Sequence, residues 1–463
     1  MESTTFRIGE LFNPRSVAIV GVPRGLKVGK LFLMALIDQG FQGPIYPVNP
    51  NAEEIDGLKT YPDLHSIPGP VDLAIILVPH SNTLSIIQDC AKKGVKGAVL
   101  FTAGYKETGT AEGKALEEEL VKTAAASGMR LIGPNGMGLY CPKTGLSFFP
   151  QLSKKSGPVG IISHSGSLTN ILGYIAPKKG LGFSKVVSLG NECDLTCADF
   201  LLYLADDADT KVIGAYIEGI KDGPFFLDAL KKASAEKPVI LWKVGLTPEG
   251  SKAAASHTGA LAGSANIWEG IVNQGGGIAV TGFEAWVDSI MAFSMLPTGL
   301  GNQIAVISGP GGLAVSAAEA CGREGLKMAE LSPDSKSMLS GFIPSTGTSL
   351  NNPIDIGLTA SLDINIYIES AGTVAKDPGV DAIALIGIGL DIDSNNKYTE
   401  AIIKIQKASG KPFMMINIPG FDPELAQRFC EAGIPFFDSA ERAMKSYARV
   451  YKYQSRSSTQ WRK

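Results

Sequence analysis

The chain has 463 residues, 44% of them hydrophobic and 19% charged, with a formal net charge of -3. That length exceeds a single core and points to three domains of ordinary size, and the balanced charge gives no basic surface of the kind that binds nucleic acid. No run approaches the 18 or so apolar residues of a membrane span, and Met1–Thr5 has neither the basic flank nor the apolar centre of a signal peptide, so a cytoplasmic location is expected.

Three blocks repeat one design, an apolar strand, a Gly/Ser turn and a helix, which is the alternation of parallel α/β sheets. In the first block, strands are expected at Ser16–Gly21, Ile45–Pro50, Asp72–Pro79, Gly97–Thr102 and Leu131–Asn135, with a helix over Ala111–Ala126 stopped by Gly128. The second places strands at Val159–Ser163, Lys185–Gly190, Val212–Glu218 and Pro238–Lys243. The third places them at Gln303–Ser308, Ala382–Gly387 and Pro412–Asn417. Beyond about Val450 the chain turns polar and basic, and a frayed or partner-facing tail is expected. Cys193 and Cys197 form a lone C-x₃-C with no second pair. Reduced, buried thiols are the better reading, and no metal site is expected.

The 54 glycines recur where strands hand over to helices. Gly21, Gly25 and Gly29 follow the first strand, with Lys27 and Lys30 among them. Such a turn lets backbone N–H groups approach a phosphate, although the spacing fits neither the dinucleotide fingerprint nor the phosphate-binding loop, and a plain strand-to-helix turn explains it as well. The second strand ends in Val48-Asn49-Pro50, where an NAD site usually has a carboxylate for the ribose. Its absence counts against NAD and suits a ligand with phosphate on its ribose, such as coenzyme A. Val78-Pro79, Phe101-Thr102 and Gly133-Pro134-Asn135 end the other strands at the edge where open sheets bind ligands.

Two further turns resemble one another. Ser163-His164-Ser165-Gly166-Ser167 and Ser308-Gly309-Pro310-Gly311-Gly312 each run from a strand into a helix, leaving free N–H groups at a helix start, a ready anion site or a mere chain reversal. His257 lies in a run, Ser251–Ser264, that is almost all Ala, Gly, Ser and Thr. Side chains that small fill no core, so a mobile loop is expected whose imidazole meets a reacting group as a phosphoryl acceptor. Glu218, at a strand's carboxyl end, is placed to orient that ring. His164 reads as a local hydrogen-bonding residue.

These residues together resemble the α subunit of the NDP-forming acyl-CoA synthetases, the ADP-forming acetate–CoA ligase group related to succinyl-CoA synthetase. The resemblance spans about residues 8 to 450. It rests on Phe12–Gly21, Tyr46–Pro50, Gly133–Gly138 and Ser188–Asn191, and most specifically on Glu218–Asp222 and Ser256–Ser264. It implies an α/β chain with an N-terminal Rossmann-like CoA-binding domain (1–147), then two flavodoxin-like doubly wound domains. The first of these (148–296) contains a phosphohistidine loop at about 245–266, the second covers 297–455, and a polar tail takes 456–463. It also implies that His257 is phosphorylated and Glu218 is its stabilising carboxylate. Coenzyme A would be held by Gly21, Lys27, Asn49, Val78, Pro79 and Asn135, and phosphate by Ser163, Gly166 and Ser167 at one helix and Gly309, Gly311 and Gly312 at the other.

The family's nucleotide site is an ATP-grasp module, and none of the three blocks reads as one. A separate β subunit carrying ADP/ATP and Mg²⁺ is therefore implied, in an α₂β₂ heterotetramer. Pro23 and His164 depart from the residues usual in the family. Side chains near Ser163–Asn170 and Ser349–Ile356 are expected to shape the acyl pocket. A non-catalytic CoA-binding regulator of the same fold needs neither His257 nor Glu218, and a dehydrogenase is disfavoured by Asn49 and by the lack of a hydride-transfer pair.

Overall fold

The computed structural model describes residues 4–258, 264–387, 389–418 and 423–460. The chain forms two compact units, one of residues 1–175 with 182–282 and the other of residues 176–181 with 283–463.

In the first unit, α1 (Thr4–Phe12) leads to β1 (Val17–Val20), α2 (Val28–Gln39), β2 (Ile45–Val48) and a short hairpin of β3 (Glu54–Ile55) and β4 (Leu58–Lys59). Then come β5 (Leu73–Ile76), α3 (His80–Lys93), β6 (Gly97–Leu100), α4 (Ala111–Ser127) and β7 (Arg130–Ile132). Five strands pair in the order β2-β1-β5-β6-β7, all parallel. Every residue of β1, β5 and β6 is buried, because helices cover both faces of such a sheet, and this is why the strands read as unbroken apolar runs. Gly128 closes α4 as expected, at φ +74°.

A second sheet follows in the same unit. Its elements are β8 (Gly138–Tyr140), β9 (Ser156–Ser163), α5 (Gly166–Ile175), β10 (Phe183–Ser188), α6 (Cys197–Asp206), β11 (Val212–Ile217), α7 (Gly223–Glu236), β12 (Val239–Lys243), α8 (Pro248–Thr258), α9 (Ala265–Gly275) and β13 (Ile278–Val280). The order is β13-β12-β11-β9-β10-β8, with β8 alone antiparallel. The loop after β10 laces the two sheets together. Asn191, Cys193 and Leu195 donate their N–H groups to the carbonyls of Pro134, Gly133 and Leu131. Asp194 accepts from Arg130 Nε and Nη2, both at 2.9 Å, and from the Leu131 N–H at 2.8 Å.

The second unit contains α10 (Phe283–Met295), β14 (Gln303–Ser308), α11 (Gly311–Arg323), β15 (Lys327–Met328), α12 (Pro333–Ser340), β16 (Ile354–Asp355), α13 (Thr359–Leu362) and α14 (Asn365–Lys376). It continues with β17 (Ala382–Ile386), α15 (Ile392–Ser409), β18 (Phe413–Ile416), α16 (Pro423–Glu431), β19 (Phe436–Phe437) and α17 (Ala440–Gln460). Its sheet runs β15-β14-β17-β18-β19, with β16 also on β14, all parallel. Arg442 on α17 clasps the buried Asp288 of α10 through Nε at 2.6 Å and Nη2 at 3.0 Å.

Two expectations are corrected. The run holding His257 is helical up to Thr258. Thr247 caps it by accepting the Gly250 N–H at 3.0 Å, Pro248 opens it, and Ala253–Ala255 are the best of helix formers, so propensity overrides the loop that small residues suggested. Residues 259–263, the rest of that motif, lie outside the described residues. Of the frayed or partner-facing tail expected beyond Val450, the frayed half does not hold where the segment is described, since α17 continues to Gln460.

Candidate active site

Each sheet has a switch point, where the chain turns from one side of its starting strand to the other and leaves a crevice beyond the strand ends. In the first sheet it lies between β1 and β5, in the second between β9 and β11, and in the third between β14 and β17. The residues just past those strands are Gly21 and Val78, then His164 and Glu218, then Gly309. The sequence singled out these positions.

A cleft of about 550 Å³ opens in the first unit. It is lined by Val78 and Pro79 after β5, Phe101–Ala103 after β6, Asn135–Met137 after β7, and His164, Ser165, Gly166 and Ser167 at the start of α5. The structure thus brings Val78, Pro79, Asn135, Gly166 and Ser167 together. Ala103 joins them unannounced, whereas Phe101 and Thr102 are marked in the sequence as a strand end and Met137 as part of the Gly133–Gly138 motif. The N–H groups of Gly166 and Ser167, the first two of α5, have no acceptor among the described residues. At this cleft's edge Gly21 takes φ +91°, and a Cβ there would stand 2.9 Å from Val78 Cγ1, so only glycine lets β1 and β5 close up beneath a ligand.

Other expected residues have structural duties. Ser163 is fully buried, and its hydroxyl donates to the Ser165 carbonyl at 2.9 Å while accepting the Ser165 N–H at 3.1 Å, so it shapes the turn. Asn49 donates from Nδ2 to the Val22 carbonyl at 2.8 Å and accepts the Asn51 N–H at 2.8 Å, which ties the glycine turn to β2. Lys27 is exposed at the N-cap of α2. Lys30, by contrast, is buried, ion-paired with Asp56 at 2.8 Å and bonded to the Arg24 carbonyl at 3.3 Å, so it fastens the glycine turn to the β3–β4 hairpin.

The second turn copies the first. Ser308 donates its hydroxyl to the Pro310 carbonyl at 2.9 Å, and the N–H groups of Gly311 and Gly312 are without acceptors among the described residues. Gly309 is packed so closely that a Cβ would meet Tyr367 Oη at 2.2 Å. A Cβ on Gly311 would meet Asp355 Oδ2 at 2.5 Å, so a carboxyl group stands beside this helix start, whereas none of the side chains lining the first cleft is acidic.

Glu218 and His164 meet at the second sheet's switch point, both only 5% exposed. The Glu218 N–H donates to His164 Nδ1 at 3.0 Å, and the Glu218 carbonyl accepts from Lys243 Nζ at 2.9 Å. Burial, then the Glu218 charge, pushes the Tyr216 phenol up. Burial lowers the Lys243 ammonium while the Glu218 charge acts the other way. His164 Nε2 is 3.0 Å from Oε1 of Glu192, though out of line with it. Glu192 is itself buried, at φ +54°, with Oε1 accepting the Cys197 N–H at 2.5 Å and its carbonyl accepting from Lys221 Nζ. Sequence reading missed Glu192, because nothing local marks it.

His257 is carried by α8, which seats the buried Ala254 against Gly245 and runs beside the turn Lys106–Thr108. Beneath that turn Asn191 donates from Nδ2 to Glu107 at 2.5 Å and to the buried Glu117 at 3.0 Å. Among the described residues no cluster of His, Cys, Asp and Glu could hold a metal ion, and no helix is long and apolar enough to cross a membrane.

Residues 15–142 match the family model of a CoA binding domain, and residues 156–293 match that of a succinyl-CoA ligase like flavodoxin domain. That pairing, with a shared cleft at the strand ends, defines the class: a succinyl-CoA-ligase-like acid–thiol ligase. The α subunit of acetate–CoA ligase [ADP-forming] II from Pyrococcus furiosus is 38% identical over 95% of this chain and 96% of its own length. The acetate–CoA ligase [ADP-forming] of Methanocaldococcus jannaschii is 36% identical over 95% of this chain but only 62% of its own. The solved structure of dinucleotide forming acetyl-coenzyme A synthetase 1 from Ca. Korarchaeum cryptofilum, in complex with phosphate and ADP, superposes with a TM-score of 0.85 at 34% identity, covering 97% of both chains. The chain belongs to the α-subunit family of the ADP-forming acetate–CoA ligases.

Proposed function

We propose that the chain interconverts acyl-CoA, ADP and phosphate with carboxylic acid, CoA and ATP, in partnership with a separate ATP-grasp chain that holds the nucleotide and Mg²⁺, most simply as α₂β₂. The observation that supports this best is the single cleft in which the open N–H groups of Gly166 and Ser167 face Val78, Pro79 and Asn135. Coenzyme A fits the first sheet's share of that cleft, since the glycine at Gly21 leaves room that any Cβ would take. Gly21, Val78, Pro79 and Asn135 would line its path, with the exposed Lys27 at the α2 N-cap to meet a phosphate and Asn49 holding the turn.

In the thioester-consuming direction, phosphate oxygen attacks the acyl carbon and the sulfur leaves as thiolate, giving acyl phosphate and CoA. The α5 start, Gly166 and Ser167 with Ser163 beneath, binds the phosphoryl oxygens. A helix terminus contributes about 0.3–1 kcal/mol to such an anion when exposed and up to about 2 kcal/mol when partly buried. His257 then takes the phosphoryl group from the acyl phosphate, releasing the carboxylate. Glu218 orients the ring and balances the charge it gains. Gly311 and Gly312, with Gly309 packed beneath them, form a second cradle for phosphate, made less favourable by Asp355. ADP on the partner chain finally accepts the group from His257.

Mixing this chain with the ATP-grasp chain, acetyl-CoA, ADP, phosphate and Mg²⁺ tests the reading. ATP should form only when both chains are present. ATP formation by the partner chain alone, or equal turnover by His257→Ala, would count against it.

A further inference from the structure

One buried imidazole joins three strand ends of the second sheet. His164 follows β9, the Glu218 amide that it accepts follows β11, and Glu192 lies in the loop after β10. Because Nδ1 accepts an N–H, it bears no proton, and the neutral ring carries its proton on Nε2, facing the Glu192 carboxylate. Nδ1 is thus taken up by the Glu218 N–H, while Nε2 stands 3.0 Å from the Glu192 carboxylate without an aligned hydrogen bond. The ring also forms part of the cleft wall next to Ser165–Ser167, where phosphoryl oxygens would lie.

The Glu218 peptide is held at both polar groups, its N–H by His164 and its carbonyl by Lys243 Nζ. Glu192 is held in turn by the Cys197 N–H and by Lys221. The chain places a left-handed residue, φ +54°, at Glu192 to bring that carboxylate under the ring, a backbone conformation seldom adopted outside glycine and asparagine.

We infer that His164 is a positioning residue for phosphoryl transfer: it fixes the Glu218 peptide and the α5 anion turn in one frame, and Glu192 sets its tautomer. The inference rests on the reading of His257 as phosphoryl acceptor and Glu218 as its orienting carboxylate. What the role requires is an acceptor toward Glu218 and a donor toward Glu192, not an imidazole as such. A glutamine side chain offers both. A methionine of similar length offers neither a donor nor a good acceptor. Partners that orient metal ligands are typically worth about 10- to 100-fold in affinity or activity, and an effect of that size is expected for a partner that orients a reacting group.

The test is the initial rate at which His257 takes label from saturating acetyl-CoA and labelled phosphate, using the full chain with its ATP-grasp partner. His164→Met should label at least tenfold more slowly than wild type, and His164→Gln should recover to within about threefold. Labelling of His164→Met at the wild-type rate overturns the role, as does equal loss in the Gln and Met variants, which would mean that the imidazole itself reacts. Should His164→Met not fold, His164→Gln decides alone: near-normal labelling supports the role and a tenfold loss overturns it. A wild-type chain that takes no label at all overturns both this inference and the phosphohistidine reading beneath it, whereas a labelled wild type with an indifferent Met variant overturns only the inference.

Discussion

Replacing Asn191 by aspartate exchanges an NH2 group for a carboxylate oxygen, so two donors are lost and a charge is gained at a place where the structure makes the outcome calculable. In the native protein the Asn191 amide donates to Glu107 Oε2 at 2.5 Å and Glu117 Oε2 at 3.0 Å. Burial acts to raise the Glu107 carboxyl, but the hydrogen bonds from Asn191, Gly104 and Tyr105 outweigh it and hold the group below its ordinary range. Each charge-assisted bond is worth about 1.5–3 kcal/mol, so the ionised variant loses about 3–6 kcal/mol and adds repulsion among carboxylates. Taking up one proton relieves this. That proton costs about 4 kcal/mol at pH 7, at about 1.4 kcal/mol per pH unit above an ordinary carboxyl, and one bond of about 2 kcal/mol is still not regained.

The expected loss for Asn191→Asp is thus about 4–6 kcal/mol at pH 7. The folded variant holds a proton that the unfolded chain releases above the ordinary carboxyl range, so its stability falls as pH rises through that window, and the deficit should shrink by about 3 kcal/mol at pH 5. Urea midpoints of wild type and variant at pH 5 and pH 7 measure both quantities. Adding Glu117→Gln to the variant removes one charge and returns a donor, and should recover a large part of the loss. A deficit below about 0.5 kcal/mol, on the order of a neutral surface change, or one that is the same at both pH values, would mean that the two carboxylates do not depend on the Asn191 amide.

Gly21→Ala forces a side chain into φ +91° and within 2.9 Å of Val78 Cγ1. Calorimetry should find coenzyme A bound at least tenfold more weakly, and unchanged affinity would remove Gly21 from the site. Asp194→Ala strands the Arg130 guanidinium and the Leu131 N–H between the two sheets of the first unit. It should cost about 2–4 kcal/mol by urea unfolding, with Asp194→Asn intermediate. Gly309→Ala places a Cβ 2.2 Å from Tyr367 Oη and should destabilise the second unit by about 1–3 kcal/mol, as overpacking does, measured as a lower thermal midpoint.

The long parallel strands were legible because burial on both faces leaves a continuous apolar signature, as in Val17–Val20 or Leu73–Ile76. Several two- and three-residue strands were not, since Lys327–Met328, Ile354–Asp355 and Phe436–Phe437 are too short to show any period, and Gly138–Tyr140 turns antiparallel within what reads as a motif. At the site, glycine and serine turns could be read because their residue types report backbone demands directly. The contacts of Glu192, Lys221 and Asn191 could not, because they depend on how the loop after β10 threads past Gly133 and Pro134, which is a tertiary fact with no local residue pattern. His257 was singled out by its type among small neighbours, while the helix that carries it was missed by weighing small size over alanine's propensity.

In the proposed reaction one imidazole, His257, relays a phosphoryl group between the acyl chemistry and the nucleotide. After incubation of this chain and its partner with acetyl-CoA, phosphate and Mg²⁺, mass spectrometry should locate an acid-labile, base-stable phosphate on the peptide bearing His257 and nowhere else, and His257→Ala should carry none. Phosphate that persists in His257→Ala, or that maps to another residue, would contradict the account.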